Sequence, residues 1–189
     1  MENAVAGADG SQFATILSAL VAPRSKGSVT IASPDTAVLP VIDPGWLTDP
    51  VDQAVAIEGF KRVRAAFQAR AMQPILVGPE YTPGNATQTD AQILAFVRAN
   101  LMTVWHASCT CAMRRREYGG VLDSSLRVYD VSGLRVVDAS SFPQLPPGRT
   151  CGLPAFRSMF VLVLMPYLDP QSTVYMLAEK AAALIKASS

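Results

Sequence analysis

The period of the hydrophobic pattern changes twice along this chain, and that constrains its fold more than any other feature. From Asp49-Pro50 onward, Val51, Val55, Ile57, Phe60, Val63 and Phe67 recur at helical spacing to about Arg70. Asp49 can cap the free amides at the start of that helix, and Pro50 suits its first turn. A second helix is expected from Thr89-Asp90, with Ile93, Leu94, Phe96 and Val97 as its core side. Residues 126–137 then alternate. Leu126, Val128, Val131, Leu134 and Val136, interrupted by Gly133, make the pattern of a hairpin. The helical period returns from Pro170 to Lys186, with Val174, Leu177, Ala178, Ala181, Leu184 and Ile185 on the buried face. Lys26 to Ala32 reads as a strand after a turn, and Pro34, Pro40, Pro44 and Gly45 punctuate a loop. Residues 11–22 fit either a short helix or a strand. The sum is an α+β chain, read as one domain over residues 1–189.

Several function classes drop out on composition. Half of the residues are hydrophobic and the net charge is +1, which describes a globular chain and gives nucleic acid no basic surface. The cysteines number three, and only Cys109 and Cys111 are close, so no disulfide framework is expected. With His106 as the sole histidine, a structural metal is not expected either. Residues 1–8 lack a charged-then-apolar leader, and no stretch is long and apolar enough to span a membrane, so the default expectation is cytoplasmic. Asn85-Ala-Thr87 is a glycosylation sequon that carries meaning only in a secreted chain. No Gly-x-Gly-x-x-Gly follows a strand, so a dinucleotide-binding unit is absent from the sequence.

One segment invites a chemical reading. His106 stands in Val104-Trp-His-Ala-Ser-Cys-Thr-Cys-Ala-Met113. A lone histidine is more often structural than catalytic, yet it is the side chain best tuned to exchange protons near neutral pH. Trp105 beside it fits a pocket wall or a core aromatic equally well.

Three further stretches give that segment a context. They are Leu134-Arg-Val-Val-Asp-Ala-Ser-Ser-Phe142, the Pro146-Pro-Gly148 that follows, and Pro170-Gln-Ser-Thr-Val-Tyr-Met-Leu-Ala-Glu-Lys180. With Trp105-His106 and Thr110-Cys-Ala-Met113, they resemble the C-terminal signature of the glucose–methanol–choline (GMC) family of FAD-dependent oxidoreductases. The likeness extends over nearly the whole chain, through Gly27-Ser-Val-Thr-Ile31, Val41-Ile-Asp-Pro44, Leu47-Thr-Asp-Pro50, Glu58-Gly-Phe-Lys61 and Gly78-Pro-Glu-Tyr81. The resemblance implies an antiparallel sheet flanked by helices, the family's C-terminal domain, incomplete without an FAD-binding domain. It implies alcohol oxidation on FAD, with His106 as the proton acceptor and Trp105 at the substrate pocket. It places Asp138 and Ala139 against FAD, with Pro170, Gln171, Ser172 and Thr173 at a helix start facing the flavin. There the helix's partial positive charge favours the reduced, anionic flavin. The implied partners are a small-molecule alcohol and an FAD domain. Cys109 and Arg114 stand where the family uses glycine, and the loop from Arg114 to Gly120 is altered in length.

The two halves of the signature are normally contiguous, but here residues 149–169 separate them and do not resemble the family. A natural insertion such as a lid is one explanation. An intron translated in frame is another, and the genetic code favours it. If Arg149 is read as CGT, its GT is a splice donor. If the Leu168 codon ends in A and Asp169 begins with G, they form the acceptor. Splicing then joins C to the last two bases of an Asp codon, giving histidine. Pro-Pro-Gly-His-Pro-Gln-Ser-Thr results, which is the family motif with its second catalytic histidine.

Three hypotheses follow. The chain is the C-terminal part of an FAD-dependent oxidoreductase acting on CH–OH donors and inactive alone. Or it is a non-catalytic truncated gene product. Or it is an interaction protein that reuses the fold and offers the apolar 159–168 stretch to a partner. Oxidase, dehydrogenase and non-redox activities all remain open under the first.

Overall fold

The computed structural model describes residues 13–145 and 171–187. Its described elements are strands β1 (Ser28–Thr30) and β2 (Val41–Asp43), and helices α1 (Pro50–Phe67), α2 (Asp90–Asn100) and α3 (Gln171–Ala187). Short 3-10 turns lie at Gln73–Ile75, Arg116–Tyr118 and Ala139–Ser141. Packing divides the described residues into two groups, one of 13–20 and 50–101, the other of 21–49, 102–145 and 171–187. The arrangement is α+β, with a small antiparallel sheet and helices.

The first group is built on α1 and α2. Thr89 closes the start of α2 with a capping box. Its hydroxyl accepts from the Gln92 amide at 3.3 Å, and the Gln92 side chain accepts from the Thr89 amide at 2.9 Å. Ile93 is the buried centre of α2, with Leu94, Phe96 and Val97 half-buried around it, as the sequence pattern predicts. The ring of Phe96 meets that of Phe60 on α1 edge-on, with centroids 5.9 Å apart.

The inward face of α1 follows the expected pattern from Ile57 onward and departs from it before. Ile57, Phe60, Val63 and Phe67 are half-buried and Asp52 and Gly59 are buried, while Val51 and Val55 are exposed. Val51 and Val55 precede the inward positions Asp52 and Ala56 by one residue, which turns them about a quarter of the way around the helix. A polar residue and a glycine occupy buried places that a hydrophobicity count skips. Arg64, at the end of the same face, clamps the following loop. Its Nε donates to both Glu80 carboxylate oxygens, at 2.9 and 3.2 Å, and its Nη atoms donate to the carbonyls of Thr87 at 2.6 Å and Gly84 at 3.2 Å. The guanidinium also lies 4.5 Å from the Phe60 ring centroid. Residues 13–20 form neither helix nor strand. Phe13 instead packs its ring against Tyr81 at 4.6 Å.

The second group has its core at Leu122, Leu126 and Ala181, surrounded by Cys111, Met113, Val121, Val128, Val136, Val137 and Leu177. The expected hairpin is present as bonded turns and single bridges rather than long strands. The Val128 amide donates to Leu134 O at 3.0 Å, and the Val136 amide donates to Leu126 O at 3.1 Å. Val131 and Leu134 point outward from it. On α3 the inward side is Val174, Leu177, Ala181 and Leu184, whereas Ala178 and Ile185, expected inside, are exposed. One narrow stripe, rather than a broad face, meets the core because Ala181 sits directly on Leu122 and Leu126.

Candidate functional site

His106 and Trp105 lie on an irregular segment after α2, in the second packing group. Thr103 shapes it: its hydroxyl accepts from the Trp105 amide at 2.9 Å. Trp105 adopts φ +66, in the left-handed region, and its side chain is 80% exposed. Within this chain Trp105 therefore stands outside the packed core. The adjoining His106 is half-buried.

The backbone then enters a ladder with the Asp138 turn. The amides of Cys109, Cys111 and Met113 donate to the carbonyls of Ala139, Ser140 and Ser141, at 3.2, 2.9 and 2.9 Å. Cys109, where the resemblance calls for glycine, has φ +70, a conformation that glycine adopts freely and other residues seldom do. Cys111 turns into the core. Asp138 opens the 3-10 turn: its Oδ1 accepts from the Ser140 amide at 2.8 Å and from the Ser140 hydroxyl, and its carbonyl accepts from Ser141 Oγ at 2.7 Å. Ser141 is fully buried and satisfied. The Asp138 side chain is exposed beyond these local bonds, and Ala139 is half-buried.

Helix α3 joins the same group through Leu177 and Ala181. In its first turn Gln171 and Ser172 are exposed and Thr173 is half-buried. The first amides of a helix have no intrahelical acceptor, so this end can receive a negatively polarised group. Pro170, Asp169 and the whole 149–169 stretch lie outside the described residues. The structure thus gathers Trp105, His106, Asp138, Ala139 and the first turn of α3 into one packing group.

The altered loop 114–120 is absorbed locally. Arg114 donates to the carbonyl of Pro143, and its own carbonyl accepts from the Tyr129 hydroxyl at 3.1 Å. A Cβ on Gly120 would lie 2.0 Å from Arg114 O, so the chain reverses there only with glycine. Arg116 pairs with Asp130 at the surface. The hydrogen bond that it donates to Asp130, then the charge of that carboxylate, holds the guanidinium above its ordinary pKa.

Sequence reasoning missed Thr103, Ser140 and Ser141, which hold the site through backbone bonds. Asp138-x-Ser140 carries a readable signal, since Asp commonly accepts from the amide two residues on. The described residues contain no group of three His, Cys, Asp or Glu side chains able to hold a metal. No described helix is long and apolar enough to cross a membrane. The residues present fit the edge of a flavin ring: a capped turn, a helix start and a half-buried imidazole. They offer no glycine-rich turn for a dinucleotide's phosphates.

Comparison with known proteins shows the family. A family profile described as GMC oxidoreductase, for the C-terminal part, matches residues 23–154. A patulin synthase of Penicillium expansum is 49% identical over 175 residues, which is 92% of this chain and 25% of that protein. An FAD-dependent oxidoreductase from Chaetomium thermophilum superposes with a TM-score of 0.71 at 34% identity, covering 89% of this chain and 26% of its own. A fungal aryl-alcohol oxidase gives 0.69 at 30% identity, covering 88% and 24%. The chain spans about a quarter of the length of the relatives it matches.

Proposed function

The chain belongs to the GMC oxidoreductase family, and we propose that it is the C-terminal part of an FAD-dependent oxidoreductase acting on CH–OH donors, inactive by itself. The observation that carries this reading is the ladder from Cys109, Cys111 and Met113 to Ala139, Ser140 and Ser141. It ties the His106 segment to the Asp138–Ala139 turn, and the shared core adds α3. Bound FAD would supply the two-electron acceptor. This chain's own residues would supply the rest. A His106 ring nitrogen accepts the proton of the alcohol hydroxyl as the carbon is oxidised. Trp105 presents an exposed aromatic face to the substrate. Asp138, Ala139, Pro170, Gln171, Ser172 and Thr173 border the flavin ring. A small-molecule alcohol and an FAD-binding domain are the partners.

The interruption fits the same reading. Helix α3 follows residues 149–169 in sequence, yet it packs on the core formed by residues 111–137. The two halves of the signature therefore belong to one packing group. We infer that residues 149–169 are a translated intron, whose removal restores histidine next to Pro170. Genomic and transcript sequence across these codons decides it: a transcript that always retains them refutes the inference.

The functional test uses absorbance and turnover. Purified alone, the chain retains no flavin after gel filtration; a stoichiometric flavin spectrum overturns that expectation. Joined to the remainder of a GMC relative, it binds flavin and oxidises an alcohol. His106→Ala then lowers turnover by roughly 100-fold or more, the scale of a general base. An unchanged rate assigns the base elsewhere.

A further inference from the structure

Cys109 and Cys111 are two half-buried free thiols with the exposed Thr110 between them. An exposed residue flanked by two half-buried ones puts both cysteine side chains on the inward side of the segment. Neither thiol takes part in the proton acceptor or the flavin edge.

The backbone draws this pair closer than a strand would. Two residues of strand advance about 6.6 Å. Here the amides of Cys109 and Cys111 donate to adjacent carbonyls, those of Ala139 and Ser140, in a 3-10 turn that advances only about 2 Å per residue. Residues 110 and 111 themselves form a turn. Cα atoms two residues apart span about 7 Å at full stretch, so the drawn-up segment falls within the about 4.4–6.8 Å that a disulfide bridges.

The two sulfurs nevertheless have different neighbours. Cys109 Sγ donates to Ser108 Oγ at 3.4 Å, whereas Cys111 packs on the core of Leu122, Leu126 and Ala181. Closing a bridge has to draw Cys111 Sγ off that core or turn Cys109 away from Ser108. The amides bonded to Ala139 and Ser140 then move as well. Cys109 also sits at φ +70, where glycine is at ease and a side chain is not, so its backbone gains by leaving that conformation.

We propose that Cys109 and Cys111 are a redox-active dithiol that closes to a disulfide on reaction with a small-molecule disulfide, and that closure loosens the bonds from this segment to the Asp138 turn. The Cys109 thiolate attacks one sulfur of the small disulfide and expels one small thiol. Cys111 then attacks Cys109 Sγ in the mixed disulfide and expels the second. The protein thiols lose two protons and two electrons, and the small disulfide takes them up as two thiols. Cys109 follows His106 by three residues, so the state of the pair reaches the His106 segment through the ladder. The dithiol stands whether or not the FAD reading holds.

The test incubates the whole chain with glutathione disulfide, blocks the remaining thiols with iodoacetamide and digests with trypsin. Cleavage after Arg98 and Arg114 leaves Cys109 and Cys111 on one peptide, apart from Cys151. The expected product is that peptide short of two hydrogen atoms and closed to iodoacetamide, with the change undone by dithiothreitol. In the intact oxidised chain, amide exchange at Cys111 and Met113 should accelerate at least ~10-fold. Cys109→Gly suits the φ +70 backbone, so it should keep the circular dichroism of the native chain and show neither effect. A peptide that retains two alkylatable thiols overturns the proposal, and so does one that keeps a glutathione on Cys109 without closing. Pairing of either cysteine with Cys151 overturns it as well. A closed pair with unchanged exchange at Cys111 and Met113 refutes the coupling to the ladder. Faster exchange that persists in Cys109→Gly assigns the loosening to another reaction and refutes it too.

Discussion

Enlarging Ala181 should lift α3 away from the core while leaving the rest of its packing group in place. Ala181 is 2% exposed and packs against Leu122 and Leu126, themselves buried to 0% and 2% exposure. Ala181→Leu adds three carbons where both neighbours are already in contact. Overpacking of this kind costs about 1–3 kcal/mol. If α3 escapes by undocking, the cost appears as a roughly 5- to 150-fold larger undocked population. Ala182→Leu is the control, because Ala182 is exposed on the same helix and should change stability by less than about 0.5 kcal/mol. Amide hydrogen exchange reads the outcome helix by helix. Exchange along 174–184 should accelerate in Ala181→Leu, while the amides of Cys111 and Met113, bonded to Ser140 and Ser141, should change much less. Equal acceleration of both segments would mean that the helix and the ladder unfold as one unit. No acceleration in α3 would mean that Ala181 does not hold it, and the reasoning that brings the helix start to the His106 segment would fail.

Three other outcomes follow from the same structure. Thr89→Ala should remove the capping box of α2 and cost about 1 kcal/mol in denaturant unfolding, with Thr89→Ser largely restoring it. Arg64→Met should leave Glu80 without its charged partner and free the carbonyls of Gly84 and Thr87, for a loss of about 1–3 kcal/mol and faster proteolysis between residues 78 and 89. Deleting Thr150 to Asp169 with Arg149→His should give a chain that, with an FAD-bearing remainder, takes up more flavin and turns over faster than the present one. Better catalysis by the present chain would make residues 149–169 a genuine functional element.

Much of the secondary structure was legible because it follows from local chemistry. Thr89-Asp90 and the Ile93, Leu94, Phe96, Val97 pattern place α2 and its inward side correctly. The start of α1 at Pro50 was equally plain. Its inward side before Ile57 was not, because Asp52 is buried there for reasons a hydropathy pattern does not weigh. Residues 13–20 had apolar spacing but no capping signal, and tertiary contact, Phe13 on Tyr81, took them instead. On α3 the pattern overcounted the inward side, since small Ala181 brings the helix close and leaves Ile185 outside. The site divides the same way. His106, Asp138 and the 171–173 turn could be singled out by residue type and resemblance. The ladder that joins the first two could not, because it is made of amides and carbonyls that any side chain would carry.

That ladder also decides where this region can change length. Three donors spaced two residues apart meet three consecutive carbonyls, so adding or losing one residue between 109 and 113 would carry Cys111 from the core face to the opposite one. Such a slip breaks the spacing of the bonds that tie the segment after His106 to the Asp138 turn. Between Arg114 and Gly120 the chain is held at its two ends, by the bonds of Arg114 and by the tight reversal at Gly120, and its middle is exposed. Insertions there extend a solvent loop and cost little closure entropy. Length variation in this part of the family should therefore collect in 115–119, and a graft at that point should leave the spacing of the ladder untouched.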